Sequence, residues 1–203
     1  MGLLPDEAPD SEFILTKLRD KKLVKSRAFS MGLRDKGQGA LTFGGYDTSK
    51  FSGPLETIPL KRKPANGNRQ YIVEMQSLSL GKDNGSNQTI SDKQSLKRRQ
   101  MTIGLDSGSP ALVISTTVAQ DLQKTLGGSF EKNWLHVNCS IVDTQAALNF
   151  DMSNQTTVSV PLQDFVSSRK DGGKTCTLAI KLSYNVPARK EHRPIGIATL
   201  SDK

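Results

Sequence analysis

Apolar residues recur at helical spacing in two places and at strand spacing almost everywhere else. Ile14, Leu15 and Leu18 share one face of a short helix predicted over 11–20, with Ser11 as N-cap and Glu12 at the positive end of the dipole. Strand patterns follow in 26–33, in 39–47 with Leu41 and Phe43 on one face, in 53–60, and in 70–80, where Tyr71, Val73 and Met75 oppose Leu78 and Leu80. Residues 81–100 are polar and rich in turn formers, and predict a long exposed loop or irregular hairpin. The second helix is predicted over 115–128. Val118, Leu122 and Leu126 recur every four residues, Ser115 or Thr116 caps the start, and Gly127 suits a left-handed stop. Short strands resume in WLHVNCSIV, AALNFDM, QTTVSVPL and TCTLAIKL, while 184–203 is polar and without period. Many short strands, two helices and no internal repeat describe a mainly β chain.

Composition narrows the function classes. The 203 residues are enough for a real core, and a mean hydropathy of -0.45 points to long surface loops. Aromatic residues at 5% are too few for a base-stacking platform, so no nucleic-acid partner is expected. The net charge of +8 is read as solvated surface charge, with runs at 61–63 (KRK) and 97–99 (KRR). A polyanion-binding module would require the Lys and Arg residues to converge on one face. No stretch is long and apolar enough to span a membrane, and the opening MGLLPDEAPD is acidic, unlike a signal peptide.

Two cysteines and two histidines, none in ligand spacing, furnish no metal site, and no cofactor is expected. Cys139 and Cys176 are either two buried thiols or one bridge, worth roughly 3–4 kcal/mol in the chain-entropy picture. His136 and His192 read as surface residues. Asn84, Asn87, Asn138 and Asn154 head Asn-x-Ser/Thr sequons and are candidate glycosylation sites; they favour an oxidising route. Asn138 adjoins Cys139, a sterically poor place for a glycan.

The stretch 103–115, IGLDSGSPALVIS, carries the candidate chemistry. An apolar run ends on Asp106, bends through Ser107, Gly108 and Ser109, and continues apolar. Alone, this reads sooner as a β-turn aspartate. Its neighbours decide: a strand stretch from Leu23 to Leu33 that contains Phe29-Ser30, a GALTFGGYD hairpin (39–47), an FSGPL turn (51–55), YIVEMQSLSL, then GLDSGS (104–109), and VNCSI and TCTLAI around the cysteines. In this order they resemble the C-terminal lobe of fungal pepsin-like aspartic proteases. That family shows G-x-(I/V)-x-x-x-x-F-S-(L/V), G-x-(I/L)-x-F-G-G-x-D and (Y/F)-(S/T)-G-x-L ahead of the second of its two Asp-(Thr/Ser)-Gly motifs.

The resemblance implies a mainly β lobe of antiparallel sheets with about two short helices. It would occupy 12–183, after an irregular segment 1–11, with a long polar loop at 81–100 and a non-homologous, disordered tail at 184–203. It implies an aspartic endopeptidase acting on peptide or protein substrates, and an extracellular, cell-surface or vacuolar setting. Such a site uses two carboxylates sharing one proton, chemistry for which pepsin is itself the usual illustration. One activates water; the other polarises the scissile carbonyl. By resemblance Asp106 is the carboxylate of this lobe. Gly108 offers it a backbone N–H, Ser109 donates a hydroxyl to its outer oxygen, Ser107 bonds across to the other lobe, and Cys139 pairs with Cys176.

The departures matter as much. The sequence holds one Asp-(Thr/Ser)-Gly motif where the enzyme needs two, and neither the first motif nor the flap tyrosine is present. The hydrophobic-hydrophobic-Gly segment that should follow the second cysteine is not found, and PIGIA (194–198) is not accepted for it. Pro110 stands where a Thr or Ser hydroxyl would meet substrate backbone. The expectation is therefore a lobe that is inactive alone and needs the N-terminal lobe or a second copy. The alternative is a lobe that binds peptide or protein without cleaving it.

Overall fold

Helix α1 (Ile14–Asp20) opens the computed structural model, which describes residues 13–32, 39–53, 55–60, 71–92, 101–152, 156–183 and 195–197. The expected cap Ser11 lies outside these residues, and Phe13 occupies the N-cap position without a side-chain bond. The other end of α1 is closed by two backbone bonds: Leu23 N–H donates to Leu18 O at 2.9 Å and Lys22 N–H to Arg19 O at 2.8 Å. This paired closure needs a left-handed residue, usually glycine, and Lys22 takes it at φ 57°. Holding a side chain there costs roughly 1 kcal/mol.

The chain divides into two compact units. One comprises Met1–Glu56, Arg62–Tyr71 and Thr199–Lys203; the other, Thr57–Lys61 and Ile72–Ala198. In the first, β1 (Phe29–Gly32) and β2 (Ala40–Phe43) pair antiparallel, Phe29 opposite Phe43 and Met31 opposite Leu41. The FGGYD turn follows from packing. Gly44 has φ 84°, and a Cβ on it would lie 2.7 Å from Val24 Cβ, so no side chain fits. Asp47 then caps a 3-10 turn over Thr48–Lys50 by accepting from Ser49 N–H at 2.9 Å and Ser49 Oγ at 2.7 Å.

The second unit is built on an 11-stranded sheet whose main path runs β10-β9-β3-β5-β13-β6-β12-β8-β7, with β4 on β3 and β11 on β12. Its strands are β3 (Ile72–Gly81), β4 (Asn87–Asp92), β5 (Met101–Leu105), β6 (Leu112–Ile114), β7 (Ser129–Glu131), β8 (Trp134–Asn138), β9 (Ala147–Met152), β10 (Thr157–Pro161), β11 (Val166–Lys170), β12 (Thr175–Leu182) and β13 (Ile195–Ile197). Met75, Leu78, Ile103, Leu148, Phe150 and Leu178 are fully buried at its centre. Helix α2 (Thr116–Leu126) packs against β4 and buries Val118, Leu122 and Leu126; Ser115 is its cap and Gly127 closes it at φ 64°.

Three expectations change, and of the two alternatives for the polar stretch after Gly81 the hairpin is the one formed, as far as Asp92: Gly85 turns the chain at φ 76°, and β4 returns along β3 from Asn87 opposite Gly81 to Asp92 opposite Ser77. Asn87, Gln88 and Thr89 face outward while Ile90 and Ser91 are buried, so one exposed face hid the strand. Among the described residues of 53–60 no strand forms; Leu60 alone bridges to Val73, and Pro59 before it lacks the N–H a ladder needs. His136 is buried, not on the surface, with Nδ1 3.1 Å from Thr177 Oγ1 on the next strand. The tail expected to be without order contains β13, which pairs parallel with β5.

Candidate active site

Strand β5 delivers Asp106 to the start of a loop that ends at Ala111, where β6 begins. The two strands are not neighbours: β13 lies between them, with Gly196 opposite Gly104 of β5 and also opposite Val113 of β6. The Asp106 loop thus joins strands separated by a third. The stretch PIGIA, not accepted from the sequence for the hydrophobic-hydrophobic-Gly segment, supplies the strand in this place through Ile195–Ile197.

Within the loop, the Gly108 N–H donates to Asp106 Oδ1 at 2.9 Å, and Ser109 N–H donates to the Asp106 carbonyl at 3.3 Å. Gly108 lies so near that a Cβ on it would sit 3.2 Å from Oδ1, tighter than nearly all real contacts. The glycine is therefore matched to the carboxylate and not only to the turn. Asp106, Ser107 and Gly108 are exposed, as is Pro110. The carboxylate is presented to solvent at the strand's end, with Leu105 before it half exposed at 50%.

Ser109 differs from the expectation. Its hydroxyl donates to Ala111 O at 2.8 Å, and its Oγ also faces Ala111 N–H at 3.4 Å. It braces the loop where the chain enters β6 and does not reach the outer oxygen of Asp106. A carbonyl two residues on is the nearer acceptor, and serine closes such local turns readily.

The disulfide Cys139–Cys176 is formed, with Cα atoms 5.0 Å apart and both residues buried. It ties the first residue of the short helix α3 (Cys139–Val142) to β12. Asn138 is the N-cap of α3, its Oδ1 accepting from Ser140 N–H at 2.9 Å. Asn84 lies on the β3–β4 turn and accepts from Ser86 N–H at 3.0 Å, and Asn87 accepts from Asn149 Nδ2 at 3.1 Å across the sheet. All three are exposed; Asn154 lies outside the described residues. Among the described residues no group of three or more His, Cys, Asp or Glu could hold a metal ion, and no helix is long and apolar enough to cross a membrane.

A mainly β fold with an Asp-Ser-Gly loop at a strand end, crossed by a Gly-centred strand, defines an aspartic-protease lobe. The sequence profile of the eukaryotic aspartyl protease family matches residues 1–196, and the chain belongs to that family. It is 27% identical to barrierpepsin of Saccharomyces cerevisiae over 169 residues, covering 81% of this chain and 28% of that protein. It is 29% identical to aspartic proteinase yapsin-3 of the same yeast over 171 residues, 80% of this chain and 32% of the relative. With the probable vacuolar protease A of Arthroderma benhamiae it shares 29% identity over 141 residues, 66% of this chain and 31% of the relative. The chain thus spans about a third of the length of these curated relatives.

Proposed function

We propose that this chain supplies the Asp106 half of an aspartic endopeptidase site, and that the 203 residues do not hydrolyse peptides by themselves. One observation carries the reading: Asp106 directly follows β5 with a backbone N–H on Oδ1 at 2.9 Å, from a glycine so close that a Cβ on it would sit 3.2 Å from that oxygen. A donor aimed at one oxygen fixes the carboxylate's orientation. The second oxygen is left toward solvent, where an attacking water and a second carboxyl would stand. That carboxyl must come from another polypeptide segment or a second copy, because proton sharing needs two acids at contact distance. Substrates would be peptides or unfolded proteins, in an acidic vacuolar or extracellular compartment.

The Ser109 hydroxyl on Ala111 and the proline at 110 favour a second reading, in which the lobe holds peptide without cleaving it. One experiment separates the two. The chain is assayed at acid pH on an unfolded protein substrate, alone and combined with an N-terminal aspartic-protease lobe carrying its own Asp-Thr-Gly. Pepstatin-sensitive cleavage by the combination only, abolished by Asp106→Asn, is the expected outcome. Cleavage that survives Asp106→Asn, or none in any combination although peptide binds, refutes the endopeptidase reading.

A further inference from the structure

Positive charge is not spread evenly over the described surface. Between Lys17 and Arg27, eleven residues hold six of the chain's 28 basic side chains and one of its 20 acidic ones, a net +5 of the total +8. All six are exposed. Two are engaged: Arg19 pairs with Asp20 at 2.9 Å, and Arg27 lies over the Phe13 ring at 5.9 Å. Lys17, Lys21, Lys22 and Lys25 have no carboxylate partner among the described residues.

Their placement is ordered. Lys17 and Lys21 lie one turn apart, joined by the Lys21 N–H to Lys17 O bond of 3.0 Å. Lys22 occupies the left-handed position just beyond. Leu23 follows and is 68% exposed, the most exposed large apolar residue described, while the next residue, Val24, is held against Gly44. The turn therefore anchors one apolar side chain inward and presents the other outward among lysines. The helix dipole accounts for Lys17, Arg19 and Lys21 near the C-terminus of α1. It does not account for Lys25, which lies past the helix, or for a lysine at φ 57° where glycine would be unstrained.

We infer that the turn closing α1, with Lys17, Lys21, Lys22 and Lys25 around Leu23, docks the chain onto an anionic phospholipid membrane surface. The chemistry selects this partner. The unpaired cations are lysines, compact point charges suited to a diffuse layer of headgroups; planar, bidentate recognition of one defined phosphate would call for arginine. The apolar tip gains nothing from a polyanion in water but gains the acyl boundary at a bilayer. Lysine attraction to an anionic leaflet of about 1 kcal/mol each corresponds to about fivefold in partitioning. None of these residues belongs to the Asp106 loop.

The test is co-sedimentation of the full chain with phosphatidylcholine vesicles, with and without phosphatidylserine, at low and raised salt. Binding is expected only with phosphatidylserine and should fall as salt rises. Neutralising Lys22 as Lys22→Gly should weaken it about fivefold, while raising the melting temperature, so lost binding is not lost folding. Neutralising Lys21, Lys22 and Lys25 together should weaken it about 100-fold. Leu23→Ser should weaken it about tenfold with the salt dependence kept. Equal binding to both vesicle types, phosphatidylserine binding unchanged in the folded triple variant, or binding to heparin with none to vesicles would overturn the inference.

Discussion

The amide of Gly108 and the carboxylate of Asp106 are 2.9 Å apart, and the same closeness leaves only 3.2 Å between Oδ1 and a Cβ built on Gly108. One glycine thus supplies a donor and the space for the acceptor. Gly108→Ala should displace the carboxylate by a few tenths of an ångström. The loop is exposed, so the stability change should stay within about 0.5 kcal/mol. Positioning errors are costlier: about 1 Å of misplacement can lower a rate 10²-fold. In the chain combined with an N-terminal lobe, kcat/KM should fall about tenfold with the melting temperature unmoved. Unchanged kcat/KM would show that the Gly108 contact does not matter to the chemistry.

Lys22 offers a prediction of opposite sign. Its φ of 57° lies where a side chain is strained and glycine is not. The residue is exposed and makes no side-chain bond that the substitution would remove. Lys22→Gly should stabilise by about 1 kcal/mol, the left-handed penalty outweighing glycine's larger unfolded-state entropy. That is a rise of roughly 2–4 °C in melting temperature for a chain of this size. A lowered melting temperature would mean that the turn is held by the lysine side chain and not merely strained by it.

Much of this could be read from the order of residues, and the failures have physical causes. Helix α2 was legible because Val118, Leu122 and Leu126 repeat its period and both caps are written in side chains, Ser115 and Gly127. The cysteines carried the disulfide only through resemblance, since 37 residues of separation fix no geometry. Strand β4 was legible only as the hairpin alternative for this polar stretch, because its first three residues are exposed and only Ile90 marks the core. His136 was misread because burial of a histidine depends on a partner 41 residues away, Thr177, which no local pattern reveals. At the candidate site, Asp106 and Gly108 were legible as a motif. The Ser109 hydroxyl was not, because its choice of the Ala111 carbonyl is set by the local loop geometry, which the sequence does not display.

Asp143 gives a pH prediction. Arg169 on β11 donates to both its oxygens, at 2.7 and 3.3 Å, and these bonds, with the guanidinium charge behind them, hold the Asp143 carboxyl below its ordinary value. A carboxylate depressed in the folded state adds stability above its unfolded value, and that contribution is lost as pH falls through the folded one. Both groups are well exposed, so salt should screen the effect and keep it small. Arg169→Gln should return Asp143 to the ordinary carboxylate range in a carboxyl-carbon NMR titration. It should also flatten the acid limb of the stability profile slightly. A titration midpoint unmoved by Arg169→Gln would show that the pair does not persist in solution.

Strand β13 gives the last prediction, through backbone alone. Its residues sit between β5 and β6, opposite Ile103, Gly104 and Leu105 on one side and Val113 on the other. Removing residues 184–203 would leave both strands that bear the Asp106 loop with unpaired edges facing each other. At about 1 kcal/mol net for each ladder bond, a loss of about 3 kcal/mol is expected. For a chain of this size that lowers the melting temperature by roughly 6–12 °C. Open edges also recruit other chains, so the truncated form should aggregate where the full chain does not. Removing only 199–203 should do neither, because those residues follow the strand. If both truncations melt and sediment like the full chain, β13 does not pair with β5, and the loop's support must be sought elsewhere.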